Sequence, residues 1–182
     1  MTDRYDDIVK KVLVSEEEIA EITKRLGKII STDYEGKELV LVGMLKGAMP
    51  FMMDLAKNIT LPLEMDFIQT SSYHGGTSSS TAVMFKKDID TNVLDKHVLL
   101  VDDVVDTAKT ITKVLEIFKG RGAASIELCC LLDKPEGRVV PYEAKYVGKV
   151  IPNEFVIGYG LDYNELYRNL PYVGVVKDEV YK

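Results

Sequence analysis

The segment His97–Thr110, HVLLVDDVVDTAKT, places three carboxylates (Asp102, Asp103 and Asp106) and two hydroxyls (Thr107 and Thr110) directly behind a short apolar run. If Asp106–Thr110 opens a helix, its free N–H groups and the positive end of its dipole attract an anion, and the two threonines add donors. That chemistry suits a phosphate. Asp102 and Asp103 would repel such an anion, so they must serve something adjacent that is electropositive or rich in hydroxyls, a magnesium ion or a ribose diol. A phosphorylated sugar meets both demands. Taken singly, each residue has a plainer reading. Aspartates after a strand often cap turns, a loop lysine such as Lys46 is normally a solvated charge, Lys134 before Pro135 can simply end a strand, and Tyr73 and Phe155 can be packing aromatics.

The elements that must hold these residues are legible in the apolar spacing. Ser15 followed by Glu18 forms a capping box, and Ile19, Ile22, Leu26, Ile29 and Ile30 then recur near the helical period. LVLVGM is an unbroken apolar run typical of a strand covered on both faces, and after LKGAMP a helix begins with Pro50 in its first turn. LEMDFIQTSSY reads as a strand, HGGTSSST as a mobile small-residue loop, and TAVMFKK as a further strand. HVLLV is a short buried strand. Beyond its aspartates, Ile111, Val114, Leu115 and Phe118 mark one face of a helix ending at Gly120. IELCCLL is a third buried strand, and KYVGKVI, EFVIGYG and YVGVVK follow as shorter ones. Strands alternating with helices predict an α/β fold, a mostly parallel central sheet flanked by helices. In such sheets ligands bind beyond the carboxyl ends of the strands, so Leu45–Gly47, Asp102–Thr110 and Asp133–Lys134 should converge.

The bulk properties narrow the class. A chain of 182 residues with 46% hydrophobic content suits a single domain spanning 1–182. Its net charge of −6 argues against nucleic acid as a main partner. MTDRYDDIVKK lacks the apolar region of a signal peptide, and no apolar run reaches membrane-spanning length, so the expectation is a cytoplasmic protein without a membrane partner. The only cysteines, Cys129 and Cys130, are strand neighbours pointing to opposite faces, which suggests neither a disulfide nor a zinc site.

VLLVDDVVDTAKT resembles the signature that binds 5-phosphoribosyl-1-pyrophosphate, and the chain as a whole is similar to the hypoxanthine-guanine phosphoribosyltransferases. LVLVGMLKGAMPFM, MDFIQTSSYHG, LLDKPEGR and FVIGYGLDYNELYRNLPYVGV carry the likeness over nearly all of the chain. The resemblance implies a type I phosphoribosyltransferase fold with a small hood built from the terminal segments. It implies that Leu45, Lys46 and Gly47 form the pyrophosphate loop, often with a cis peptide before the lysine. Asp102 and Asp103 would hold the ribose hydroxyls and Mg2+. Asp106 would be the general base near the purine N7, and Thr107, Ala108, Lys109 and Thr110 would cradle the 5'-phosphate. Phe155 would stack on the purine, the Val156 backbone would contact its edge, Asp162 would lie at the purine site and serve a second Mg2+, and Arg168 would bind pyrophosphate. Ser72 and Tyr73 would begin a closing lid that also carries His74. Relatives of this kind work as homodimers or homotetramers.

The implied reaction joins purine N9 to ribose C1 as pyrophosphate leaves. Magnesium, Lys46 and Arg168 would stabilise the leaving group while Asp106 accepts a proton. Lys134 has only donors to offer, which favours the O6 acceptor of hypoxanthine or guanine over the amino group of adenine. Two positions depart from the family pattern: Asp102, where glutamate is common, and Ala108, where glycine is usual. Alanine is the best helix former, so Ala108 is expected to be right-handed, in the first turn of the following helix. An RNA-binding pyrimidine-operon regulator shares the fold, but Asp106 and the acidic total count against it. A receiver domain would carry its aspartate pair near the N-terminus rather than after residue 100.

Overall fold

Three of the apolar runs, β2 (Leu39–Met44), β5 (His97–Val105) and β6 (Ser125–Asp133), lie side by side and parallel. In the computed structural model, which describes Tyr5, residues 7–72 and residues 83–181, they form the centre of a six-stranded sheet. Its order is β4-β3-β2-β5-β6-β7, with β3 at Leu63–Ser72, β4 at Val83–Lys87 and β7 at Tyr146–Val150. β4 runs antiparallel to β3 at one edge. Ser72 closes β3, while Tyr73, His74 and the rest of the expected lid lie outside the described residues.

The unbroken apolar character of the central strands follows from having cover on both sides. Leu39, Leu41, Leu99, Val101, Cys129 and Leu131 share a core with helices α1 (Glu16–Asp33) and α2 (Met49–Asn58). Their neighbours Val40, Val42, Val98, Leu100, Leu128 and Cys130 share the opposite core with α3 (Lys109–Gly120) through Ile111, Val114 and Phe118. Cys129 and Cys130 thus face opposite ways, as the period of two requires. Phe118 is fully buried, and truncating it to alanine would cost about 3–5 kcal/mol.

Helix α1 starts where Ser15 accepts the Glu18 N–H at 3.2 Å, with Glu16, Glu17 and Glu18 favouring the positive end of the dipole. Its buried stripe is Ile19, Ile22, Leu26 and Ile30. Ile29 does not join it and is 40% exposed, because it stands about 100° around the helix from Ile30. Pro50 falls in the first turn of α2 as expected.

Both terminal segments meet in a second, antiparallel sheet of order β1-β9-β8, formed by Val9–Val14, Val173–Val176 and Val156–Ile157. This is the expected hood. Ile157, Leu170 and Val176 form its small core, packed by Tyr5, Phe155, Tyr163, Tyr167 and Tyr172. β1 escapes sequence reading because VKKVLV has little apolar alternation and pairs with residues more than 150 positions away. EFVIGYG yields a strand of just two residues, since the chain turns back on itself between Gly158 and Leu161. No helix among the described residues is long and apolar enough to cross a membrane.

Asp66 on β3 fastens the link between β4 and β5. It is 8% exposed and accepts the N–H groups of Phe67 at 2.7 Å, Asp90 at 2.8 Å and Thr91 at 2.9 Å, with Lys87 Nζ at 3.2 Å. Burial opposes its charge, but these donors outweigh burial and hold the carboxyl well below the usual carboxylate range. A folded pKa below the unfolded one contributes stability above the unfolded value, and that contribution is lost as pH falls toward the folded one. Asp66→Asn is therefore expected to cost about 1–3 kcal/mol at pH 7. In denaturant melts across pH, the gap between variant and wild type should close progressively below about pH 4.

Candidate active site

The chain leaves β2 toward β3 through α2 on one face of the sheet, and leaves β5 toward β6 through α3 on the other. Connections that part in this way open a crevice beyond the carboxyl ends of the two strands. The loop after β2 is Leu45-Lys46-Gly47, and its Leu45–Lys46 peptide is cis, as the family pattern suggested. The loop after β6 holds Lys134 and a single 3-10 turn, Pro135–Gly137. With β2, β5 and β6 adjacent and parallel, the three expected segments do converge.

Strand β5 is longer than HVLLV. It continues through both aspartates to Val105, because Asp102, Val104 and Val105 still pair with Cys130, Leu132 and Asp133 of β6. The aspartates therefore lie on a strand, and the Asp102 carboxylate accepts the Asp103 N–H at 3.1 Å. Asp103 faces the first loop so closely that a Cβ on Gly47 would lie 1.7 Å from its Oδ2. Asp102 instead lines a cavity of about 160 Å³ with Val104, Val105, Asp106, Thr107, Ala108, Thr110 and Ile111.

Burial and the neighbouring charge of Asp103 push the Asp102 carboxyl well above its ordinary pKa. Burial also raises Asp103, against the opposing pull of the Val104 N–H at 2.7 Å and of Arg168. Two adjacent, partly buried carboxylates call for a cation or hydroxyl donors beside them. Among the described residues no group of three or more His, Cys, Asp or Glu side chains converges into a metal cage. A pair of carboxylates fits Mg2+, an ion that keeps water and substrate oxygens as its other ligands.

The phosphate-cradle segment differs from the expectation at one residue. Ala108 has φ 62° and ψ 4°, a left-handed conformation, and α3 begins at Lys109. It is the N-cap and not a member of the first turn. The carbonyl of Ala108 accepts the Thr112 N–H at 3.1 Å and the Thr112 hydroxyl at 2.9 Å, while its methyl, 4% exposed, joins the core that holds Ile111 and Val114. Reversing the chain between β5 and α3 with that carbonyl on the helix outweighs alanine's helical preference. Thr107 Oγ1 lies 3.5 Å from the Lys109 N–H, and Thr110 lines the cavity.

Asp106 abuts the loop after β6, since a Cβ on Gly137 would lie 2.0 Å from its Oδ1. Lys134 is 6% exposed; burial pushes its ammonium pKa down, and the charges of Asp106 and Asp103 oppose that. Lys46 and Arg168 meet across Glu165, whose Oε2 lies 2.7 Å from Lys46 Nζ and 3.4 Å from Arg168 Nη2. Those two cations hold the Glu165 carboxyl below its usual range through hydrogen bonds and charge. Arg168 also pairs with Asp162 at 2.8 Å and donates to the Gly160 carbonyl at 2.7 Å. Phe155 and Val156 sit in the hood. Phe155 packs edge-on to Tyr163, with ring centroids 5.8 Å apart, and lies 4.9 Å from Tyr181, while Val156 pairs with Val175. Glu165 and Arg138 were not singled out from sequence. Their cues, an acid three residues before Arg168 and an arginine four after Lys134, have many bland explanations.

The model of the phosphoribosyl transferase domain family matches residues 9–164. The chain is 55% identical over 173 residues to the hypoxanthine-guanine phosphoribosyltransferase of Streptococcus pneumoniae, covering 95% of this chain and 96% of that one. It is 53% identical over 173 residues to the enzyme of the same name from Streptococcus mutans, with the same coverage. The crystal structure of a hypoxanthine phosphoribosyltransferase from Staphylococcus aureus superposes with a TM-score of 0.94 at 49% identity, covering 100% of this chain and 99% of that one.

The left-handed residue has a measurable consequence. Ala108→Gly removes left-handed strain of about 1–2 kcal/mol. It also removes a buried methyl worth about 0.8 kcal/mol and adds unfolded-state entropy of roughly 0.5–1 kcal/mol. Denaturant melts should therefore find the variant within about 1 kcal/mol of wild type. A loss well beyond that would mean that Ala108 is right-handed in solution.

Proposed function

The chain belongs to the hypoxanthine-guanine phosphoribosyltransferase family, and on that premise we propose that it salvages purines by moving a phosphoribosyl group from 5-phosphoribosyl-1-pyrophosphate to N9 of hypoxanthine or guanine. The products are IMP or GMP and pyrophosphate. The observation that carries this reading is the junction of β2, β5 and β6, where the partly buried carboxylates of Asp102 and Asp103, a cavity of about 160 Å³ before α3, Asp106 and the buried Lys134 lie at adjacent strand ends.

In this reading Thr107, Ala108, Lys109 and Thr110 receive the 5'-phosphate, and Asp102 in the same cavity reaches the ribose hydroxyls. Asp102 and Asp103 would hold Mg2+, with Asp162 available to a second ion, and the metal would offset charge on the pyrophosphate. Lys46 and Arg168 bind that leaving group. Glu165 pairs with both cations, at 2.7 Å from Lys46 and 3.4 Å from Arg168, and holds them side by side. Asp106 takes the proton released as N9 attacks C1, where positive charge has built up on the sugar. Lys134 donates to O6, Phe155 stacks on the purine, and the Val156 backbone meets its edge. Ser72 and Tyr73 begin the lid that excludes water from the cationic carbon.

The chain is further read as one domain over residues 1–182, working in the cytoplasm as a homodimer or homotetramer. Met49 and Met53, four apart on α2 and 50% and 42% exposed, support a protein contact on that helix. The acidic total disfavours nucleic acid as a partner.

Steady-state assays with hypoxanthine, guanine, xanthine and adenine test the reading, with adenine expected to be poor. Asp106→Asn should lower kcat by about one to four powers of ten and leave donor binding nearly intact. Turnover unchanged across pH would leave Asp106 with a structural role. Lys134→Gln should shrink the ratio of kcat/KM values for hypoxanthine and adenine, because an amide can turn either its donor or its acceptor toward the 6-position. A ratio held at the wild-type value would remove Lys134 from base recognition.

A further inference from the structure

Resting on the transfer reaction above, we propose that Arg138 is a positioning residue, a guanidinium clamp that fixes Asp106 and Lys134 relative to each other. The ladder between β5 and β6 ends at Val105 and Asp133, and the two loops beyond it carry the proton acceptor and the reader of the purine 6-position. Backbone hydrogen bonds continue across the gap on either side of Asp106, from the Lys134 N–H to the Val105 carbonyl at 2.9 Å and from the Val139 and Val140 N–H groups to the Thr107 carbonyl, each at 3.1 Å. These bonds hold Val105 and Thr107, and the link to the Asp106 carbonyl between them comes from a side chain.

Arg138 closes the gap from below. Its side chain is 13% exposed, and Nη1 donates to the carbonyls of Val105 at 2.7 Å, Asp106 at 2.6 Å and Lys134 at 3.2 Å. Nε donates to the Tyr142 carbonyl at 3.2 Å, and Nη2 pairs with the Asp133 carboxylate. A single planar group thus ties the main chain of Asp106 to that of Lys134 and anchors both to the end of β6. Gly137 completes the fit, because the Asp106 carboxylate occupies the space that any side chain there would need. The carboxylate of Asp133 balances the guanidinium, so the clamp adds little net charge beside Asp102, Asp103 and Asp106. Acceptors spread on several sides of one buried point match the rigid fork of arginine and not the compact ammonium of lysine.

A purely structural arginine would affect melting alone, whereas a positioning one changes the chemistry of the base without changing the hold on the donor. The test compares wild type, Arg138→Lys and Asp133→Asn, each well below its own melting midpoint. It reads kcat/KM for hypoxanthine and for adenine at saturating 5-phosphoribosyl-1-pyrophosphate, and the donor Kd without base. Arg138→Lys is expected to lose about 10²-fold in kcat/KM for hypoxanthine, the scale of a misplacement near 1 Å, and to narrow the hypoxanthine-to-adenine ratio. Donor Kd should stay within about twofold. Asp133→Asn keeps the shape of the anchor and removes its charge, so it should give the same signature in smaller measure. A lowered melting midpoint with unchanged kcat/KM and unchanged base ratio in Arg138→Lys overturns the proposal, as does a loss confined to donor Kd. Should Arg138→Lys not fold, Asp133→Asn decides by the same criteria. Wild-type protein that does not turn over hypoxanthine would sink the transfer reading itself, a result distinct from an active wild type with an indifferent Arg138→Lys.

Discussion

The site depends on the hydrogen-bonded seat of β5 between β2 and β6. Parallel pairing on both sides, from His97 through Val101 to β2 and on to Val105 against β6, leaves the strand no freedom to slip. A slip of one residue would exchange Leu99 and Val101 for Leu100 and Val98 between the two cores, moving every buried side chain to the wrong face. The register that protects the cores also aims Asp103 at the loop after β2 and Asp102 at the cavity before α3. Packing and chemistry are therefore set by one alignment.

That alignment brings like charges together, and the surroundings answer them locally. Asp102 and Asp103 are disfavoured as a doubly ionised pair. Each cation near them already faces an acid. Lys46 meets Glu165, Arg168 meets Asp162 and Glu165, Arg138 meets Asp133, and Lys134 feels Asp106 and Asp103. Some of these partners differ in how easily they yield. The Lys46–Glu165 pair is largely exposed and weak, whereas the Arg138–Asp133 pair is largely buried, with Arg138 bound to carbonyls on both loops.

The hood acts on the same junction from the other side. Lys46 from the loop after β2 reaches Glu165 of the hood, and Tyr159 donates its hydroxyl to Asp54 of α2 at 2.7 Å. The terminal segments, remote in sequence, are thereby tied to the loop after the first strand of the parallel core. Aromatic packing around Phe155, Tyr163 and Tyr181 stiffens this cap.

Much of this was present in the sequence because it is local or periodic. The helix of Ile111, Val114 and Phe118, the capping of α1 by Ser15, the apolar runs of β2, β5 and β6 and the opposed Cys129 and Cys130 follow from side-chain spacing and nearest-neighbour hydrogen bonds. The aspartates and threonines after β5 were legible for the same reason, as an ordered run of few residue types. What spacing could not reveal depended on partners far along the chain. β1 is a strand because β9 lies beside it, and β5 reaches Val105 because β6 continues to pair there. Ala108 is left-handed because the chain must turn between a strand and a helix already fixed by two cores, a constraint stronger than alanine's preference. Glu165 and Arg138 gained their partners only when loops 119 and 33 residues away were brought within hydrogen-bond reach. Periodicity and local propensity determined the elements and the types of their chemistry; the docking of strand ends decided which charges meet, because electrostatic partners are chosen by distance in space.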